Sequence, residues 1–155
     1  MRLVLLIILL STVLCAAPAD AAFFGLFGDG IENVTARDGQ LVLDLSALPN
    51  KVSRHYRYQE GNQAVKFFVV RDEQGTIRAA IDACDVCWKS GKGYALKDGA
   101  MLCVNCGMRF AMSRIGTVSG GCNPHPFSFT LDGNALVVAT DELLREGTKF
   151  FPEGR

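Results

Sequence analysis

Four cysteines fall in two matched knuckles, Cys84-x2-Cys87 and Cys103-x2-Cys106, with fifteen residues between them. Each knuckle offers two thiolates from one tight turn. Two such turns brought together form a tetrahedral sulfur cage, which suits zinc or iron. The C-x2-C-x15-C-x2-C spacing is a strong metal signal. Cys84, Cys87, Cys103 and Cys106 are therefore the expected ligands. Three chemistries share this set. An iron–sulfur group takes one thiolate from each cysteine. A structural zinc closes a four-coordinate site with no open position. An oxidising compartment pairs the same thiols as disulfides.

Cys122 stands apart from the knuckles and makes an odd fifth cysteine beyond residue 21, which weakens a purely disulfide framework. Gly120 and Gly121 precede it, so the backbone can adopt positive φ and approach whatever the thiol touches. His125 follows at C-x2-H spacing, clamped between Pro124 and Pro126. Cys122 is expected as a fifth ligand or a redox thiol beside the metal, and its alternative is a small packing residue in a tight turn. His125 is a candidate additional ligand, and its alternative is a loop histidine.

Weaker candidates complete the set. Met101, Met108 and Met112 carry thioethers that suit Cu(I), but their spacing fits packing against the knuckles. Trp88 directly follows Cys87 and is placed to shield the site from solvent. His55 lies among Arg54, Tyr56, Arg57 and Tyr58, either as a docking face for a cofactor or iron carrier or on a solvated strand. No Ser-His-Asp order, no paired acids at helical spacing and no phosphate loop support hydrolysis.

The elements that position these groups are mostly short strands. Gln40 to Leu45 alternates, with Leu41, Leu43 and Leu45 on one face. Val52 to Tyr58 reads as a half-exposed strand. Ala64 to Arg71 is β-branched and aromatic, as a central strand is, and the Asp72-Glu73-Gln74-Gly75 turn pairs it with Thr76 to Ile81. Gly93 to Leu96 with Ala100 to Leu102, and Phe127 to Leu131 with Ala135 to Ala139, read as two further hairpins. Thr140 is expected to cap a helix over Asp141 to Arg145 that Gly147 stops. The expected fold is a β-rich α+β domain of antiparallel strands framing a two-knuckle, four-cysteine metal site, with a short C-terminal helix.

Residues 1–21 read as an export signal: Arg2, then the apolar run Leu3 to Leu14, then the small-x-small site Ala19-Asp20-Ala21. Leu14 is too bulky to precede a lipidated Cys15. Residues 22–30 are expected to form a flexible leader, and 31–155 one domain, strand-rich over 31–82 and cysteine-rich over 83–155. The chain carries 16 basic and 16 acidic residues, for a formal net charge of +0. No basic stripe invites nucleic acid, and nothing in the charge pattern suggests an anionic membrane surface.

The order and spacing of three elements carry a resemblance. Asp82-Ala83-Cys84-Asp85-Val86-Cys87, then Cys103-Val104-Asn105-Cys106-Gly107, then Gly120-Gly121-Cys122-Asn123-Pro124 resembles the FtrD-like family, over about Val65 to Phe151. The resemblance implies an iron–sulfur group, membrane association and a place in bacterial ferrous iron uptake. It implies as partners an iron permease, a cupredoxin-like ferroxidase and a periplasmic iron-binding protein. Membrane contact is expected through those partners or through an uncleaved N-terminal segment. Only one arginine precedes the apolar run, so the general export route is expected, and zinc or a single iron needs no cluster assembly outside the cytoplasm. The expected group is iron–sulfur or iron, with zinc as the alternative. The expected protein is an electron relay or iron handler, in the periplasm or on the outer face of the cytoplasmic membrane. A zinc-ribbon interaction module and a thiol–disulfide protein remain the alternatives.

Overall fold

The computed structural model describes residues 30–152. The expected signal segment, Cys15 and the leader up to residue 29 lie outside the described residues. Among the described residues there are ten strands and one α-helix: β1 Ile31–Val34, β2 Gln40–Asp44, β3 Val52–Glu60, β4 Gln63–Arg71, β5 Ile77–Ile81, β6 Tyr94–Lys97, β7 Ala100–Cys103, β8 Arg109–Ala111, β9 Thr130–Asp132, β10 Ala135–Ala139 and α1 Thr140–Gly147.

The strands form three sheets. The largest runs β1-β3-β4-β5, and two three-stranded sheets run β2-β10-β9 and β6-β7-β8. All pairings are antiparallel except β1 with β3, where Ile31 sits opposite His55. The expected hairpins of β4 with β5 and of β6 with β7 are present.

β4 explains why two cores exist. Successive strand side chains point to opposite faces. Val65, Phe67 and Val69 enter a core with Leu41, Leu43, Leu136, Val138, Leu143 and Phe150. Phe68 and Val70 enter a second core with Ala80, Cys84, Cys87, Tyr94, Met101, Cys103, Met112 and Ile115. The four-stranded sheet is thus a wall covered on both sides, which is why Phe67 to Val70 of β4 is a continuous apolar run rather than an alternation. Burying a side chain such as Phe67 or Phe68 contributes about 1.5–3 kcal/mol, and both are 0% exposed. The second core is built partly of cysteine.

Two expected local features differ. Phe127 to Phe129 is not strand, and β9 begins only at Thr130. The Ser128 N–H donates to Glu142 Oε1 of α1 at 2.8 Å, so it does not enter the sheet ladder. Phe127 instead packs edge-on against Phe67. Thr140 does not cap the helix. Its hydroxyl donates to the Gly39 carbonyl at 3.2 Å, tying α1 to the turn before β2.

Candidate metal centre

The first knuckle follows directly on β5. Its turn closes on sulfur: the Cys87 N–H donates to Cys84 Sγ at 3.3 Å, and the Trp88 N–H to the Cys84 carbonyl at 3.2 Å. The second knuckle is the turn between β7 and β8, held by Cys103 N–H to Met108 O and Gly107 N–H to Cys103 O, both 2.9 Å. Tyr94 sits opposite Cys103 in the β6–β7 ladder. Its phenol donates to the Cys122 carbonyl at 2.6 Å, which draws the glycine-flanked third loop against the knuckles.

These three anchors gather all five cysteines. Their sulfurs fall into two triplets, Cys84 with Cys87 and Cys103, and Cys87 with Cys106 and Cys122. Within each triplet every sulfur lies within 4.8 Å of the others. Cys87 belongs to both. Cys84, Cys87 and Cys103 are buried, Cys122 is half-buried and Cys106 is exposed. All five are free thiols, and the pair Cys106 and Cys122 stands 3.8 Å apart.

The environment divides the thiols. Burial pushes Cys103 up to about 11, against the backbone N–H groups of Cys106 and Asn105, which favour its thiolate. Burial, then the neighbouring Cys106, pushes Cys122 up to about 12. The Met108 N–H, then the Cys103 thiol, brings Cys106 down to about 7. Exposed Cys106 is therefore a readier thiolate than Cys103 or Cys122, which resist ionisation. Ligation requires thiolates, so a cation bound here would have to ionise Cys103 and Cys122 against that burial.

The donor set fits a thiophilic group. Two thiolates bound tetrahedrally to one ion at about 2.3 Å stand about 3.8 Å apart, the separation of Cys106 and Cys122. A cavity of about 10 Å³ adjoins Cys84, Cys87 and Cys103, with Asp82, Trp88 and Tyr94 among its other walls. Phe68, Met101, Met112 and Ile115 pack behind the sulfurs and keep their surroundings apolar. Soft sulfur, N–H···S bonds and an apolar shell are what an iron–sulfur or iron–thiolate group requires.

Other candidates take up different positions. His125 belongs to neither triplet. Its Nε2 lies 2.9 Å from Glu146 Oε2, its ring packs on Phe150, and its Nδ1 is buried without a partner. Met101 and Met112 are buried behind the cysteines, while Met108 is exposed. His55 is not on a solvated face. Its side chain is 18% exposed, its Nδ1 stands 3.4 Å from Asp82 Oδ2 and its ring neighbours Phe68. Asp82 was missed among the site residues: buried, it accepts the Tyr94 N–H at 2.7 Å and lines the cavity. Its place two residues before Cys84 was the only sequence signal.

Residues 48–151 match the family described as membrane iron–sulfur containing protein FtrD-like. No curated protein and no solved structure matches the chain. The match takes in β3 to α1 and all five clustered cysteines, and it begins ahead of the motifs that carried the sequence resemblance. Among the described residues no helix is long and apolar enough to cross a membrane. The chain belongs to the FtrD-like family of membrane iron–sulfur containing proteins.

Proposed function

We propose that this protein is an exported metal–thiolate protein that relays electrons or handles iron in bacterial ferrous iron transport. One observation carries the reading: five sulfurs converge at the edge of an apolar core, three buried and one, Cys106, at the surface. A bound iron–sulfur group supplies one-electron chemistry. The chain's part is to hold that group with Cys84, Cys87, Cys103 and Cys106, with Cys122 beside them, to keep water from its inner side and to present its outer side. Burial by Phe68, Tyr94 and Met101 serves the second task, and the exposure of Cys106 serves the third.

Export rests on the N-terminal pattern of Arg2, the apolar run and Ala19-Asp20-Ala21, with cleavage after Ala21. It places the domain in the periplasm or on the outer face of the cytoplasmic membrane. There the partners are an iron permease, a cupredoxin-like ferroxidase and a periplasmic iron-binding protein. A zinc-ribbon module would use the same four knuckle cysteines. The test is growth of a deletion strain on limiting ferrous iron, complemented with the parent or with Cys87→Ser. The reading expects the parent to restore growth and iron uptake and the variant to fail at equal protein level. Equal rescue by both contradicts it.

A further inference from the structure

The knuckles do not define the grouping of the sulfurs. Each triplet mixes contributions: Cys84 and Cys87 come from the first knuckle and Cys103 from the second, while Cys106 comes from the second and Cys122 from the third loop. The shared vertex is Cys87. The two triplets also differ in access. The inner one is wholly buried and adjoins a cavity of about 10 Å³, room for about one small probe sphere. The outer one contains exposed Cys106 and half-buried Cys122.

We propose that this centre holds two metal ions, an inner one on Cys84, Cys87 and Cys103 and an outer, exchangeable one on Cys87, Cys106 and Cys122, with the Cys87 thiolate bridging them. The proposal rests on the metal–thiolate reading and refines it, dividing the cysteines between two ions in place of one group and making Cys122 a ligand. Three sulfurs within 4.8 Å of one another provide three corners of a tetrahedron. Each ion then keeps one position for another ligand. At the inner ion that position adjoins only the small cavity of about 10 Å³ among three buried sulfurs, so the ion is retained. At the outer ion it faces solvent, so water, a chelator or another protein's donor atom can take it. The outer triplet is therefore the place for a thiophilic divalent cation in transit, and the inner ion holds the fold around it.

The test is anaerobic titration of reduced, metal-free full-length protein with cobalt(II), followed by native mass spectrometry, electron paramagnetic resonance and chelator challenge. The parent is expected to take two ions per chain, with a resonance signal smaller than that of two isolated ions because the bridging sulfur couples them. A chelator should remove one ion at least tenfold faster than the other. Cys122→Ser should bind one ion, the slowly released one, and Cys84→Ser one ion, the quickly released one. Cys122 is half-buried in a loop, so its variant remains informative if Cys84→Ser fails to fold. One ion per parent chain, or two ions whose number and release neither variant alters, overturns the two-ion proposal and leaves the metal–thiolate reading standing. No cobalt bound through sulfur overturns both.

Discussion

Asp82 and Gly93 compete for one space. A Cβ on Gly93 would stand 2.5 Å from Asp82 Oδ1, closer than any such contact tolerates. The same oxygen accepts the Tyr94 N–H at 2.7 Å, and the Gly93 carbonyl accepts the Val104 N–H at 3.0 Å. One close approach thus joins the end of β5, the start of β6 and the second knuckle. Gly93 also holds φ at +63°, which costs other residues strain.

Gly93→Ala therefore forces the Asp82 carboxylate out of its place. The expected cost is about 2–3 kcal/mol, read as a lower urea midpoint, together with weakened metal retention. A variant as stable as the parent would show that the knuckles do not depend on this contact.

Metal removal should act unevenly. Three of the second core's ten buried members are Cys84, Cys87 and Cys103, so without a cation their sulfurs lose what holds them together. The first core contains none of them. After chelation, amide exchange is expected to accelerate over residues 82–110 while β3 and β4 stay protected. Unchanged protection around the knuckles would count against the structural role of the metal.

The knuckle spacing, the β4–β5 and β6–β7 hairpins and a helix after β10 were legible because each is written in contiguous residues. What was not legible depends on distant pairing. β1 joins β3 in parallel across a long connection, and no local pattern announces that. His55 looked solvated because its neighbours in sequence are charged, yet its pleat position turns it toward Phe68 and Asp82. Phe127 to Phe129 has strand composition, but the Ser128 N–H is taken by Glu142. The sulfur triplets mix residues of all three loops, so spacing alone grouped them by knuckle. Cys122 reaches the centre through the Tyr94 phenol, a contact 28 residues apart in sequence.

His125→Ala separates a histidine ligand from a structural one. Its Nε2 engages Glu146, whose carboxyl is held below its usual range first by His125 and then by Arg145, against burial. The variant is expected to lose about 1–3 kcal/mol as Glu146 loses its partner, with bound metal per chain unchanged. Loss of metal in a folded variant would make His125 a ligand.

Asp72 sets an acid dependence away from the metal. Burial alone would raise its carboxyl. The Thr76 N–H at 2.8 Å, Arg78 at 3.1 Å and the Gln74 N–H at 3.1 Å outweigh burial and hold it below the ordinary value. A depressed folded value means its contribution is whole above the unfolded carboxylate value of about 4 and is lost as pH falls through the lower folded value. Asp72→Asn should be less stable than the parent at pH 7 and show a shallower loss of stability below about pH 4. Parallel acid-denaturation curves for the two proteins would contradict this.

The central claim is that these five sulfurs hold an iron-containing thiolate group. Absorption spectroscopy with iron, zinc and acid-labile sulfide analysis on anaerobically purified full-length protein tests it most directly, with Cys87→Ser alongside, since Cys87 is the one sulfur common to both triplets. The account predicts a coloured parent with sulfur-to-iron charge-transfer bands and bound iron, and a folded, colourless Cys87→Ser depleted of iron. A colourless parent carrying zinc, or no metal at all, would contradict it.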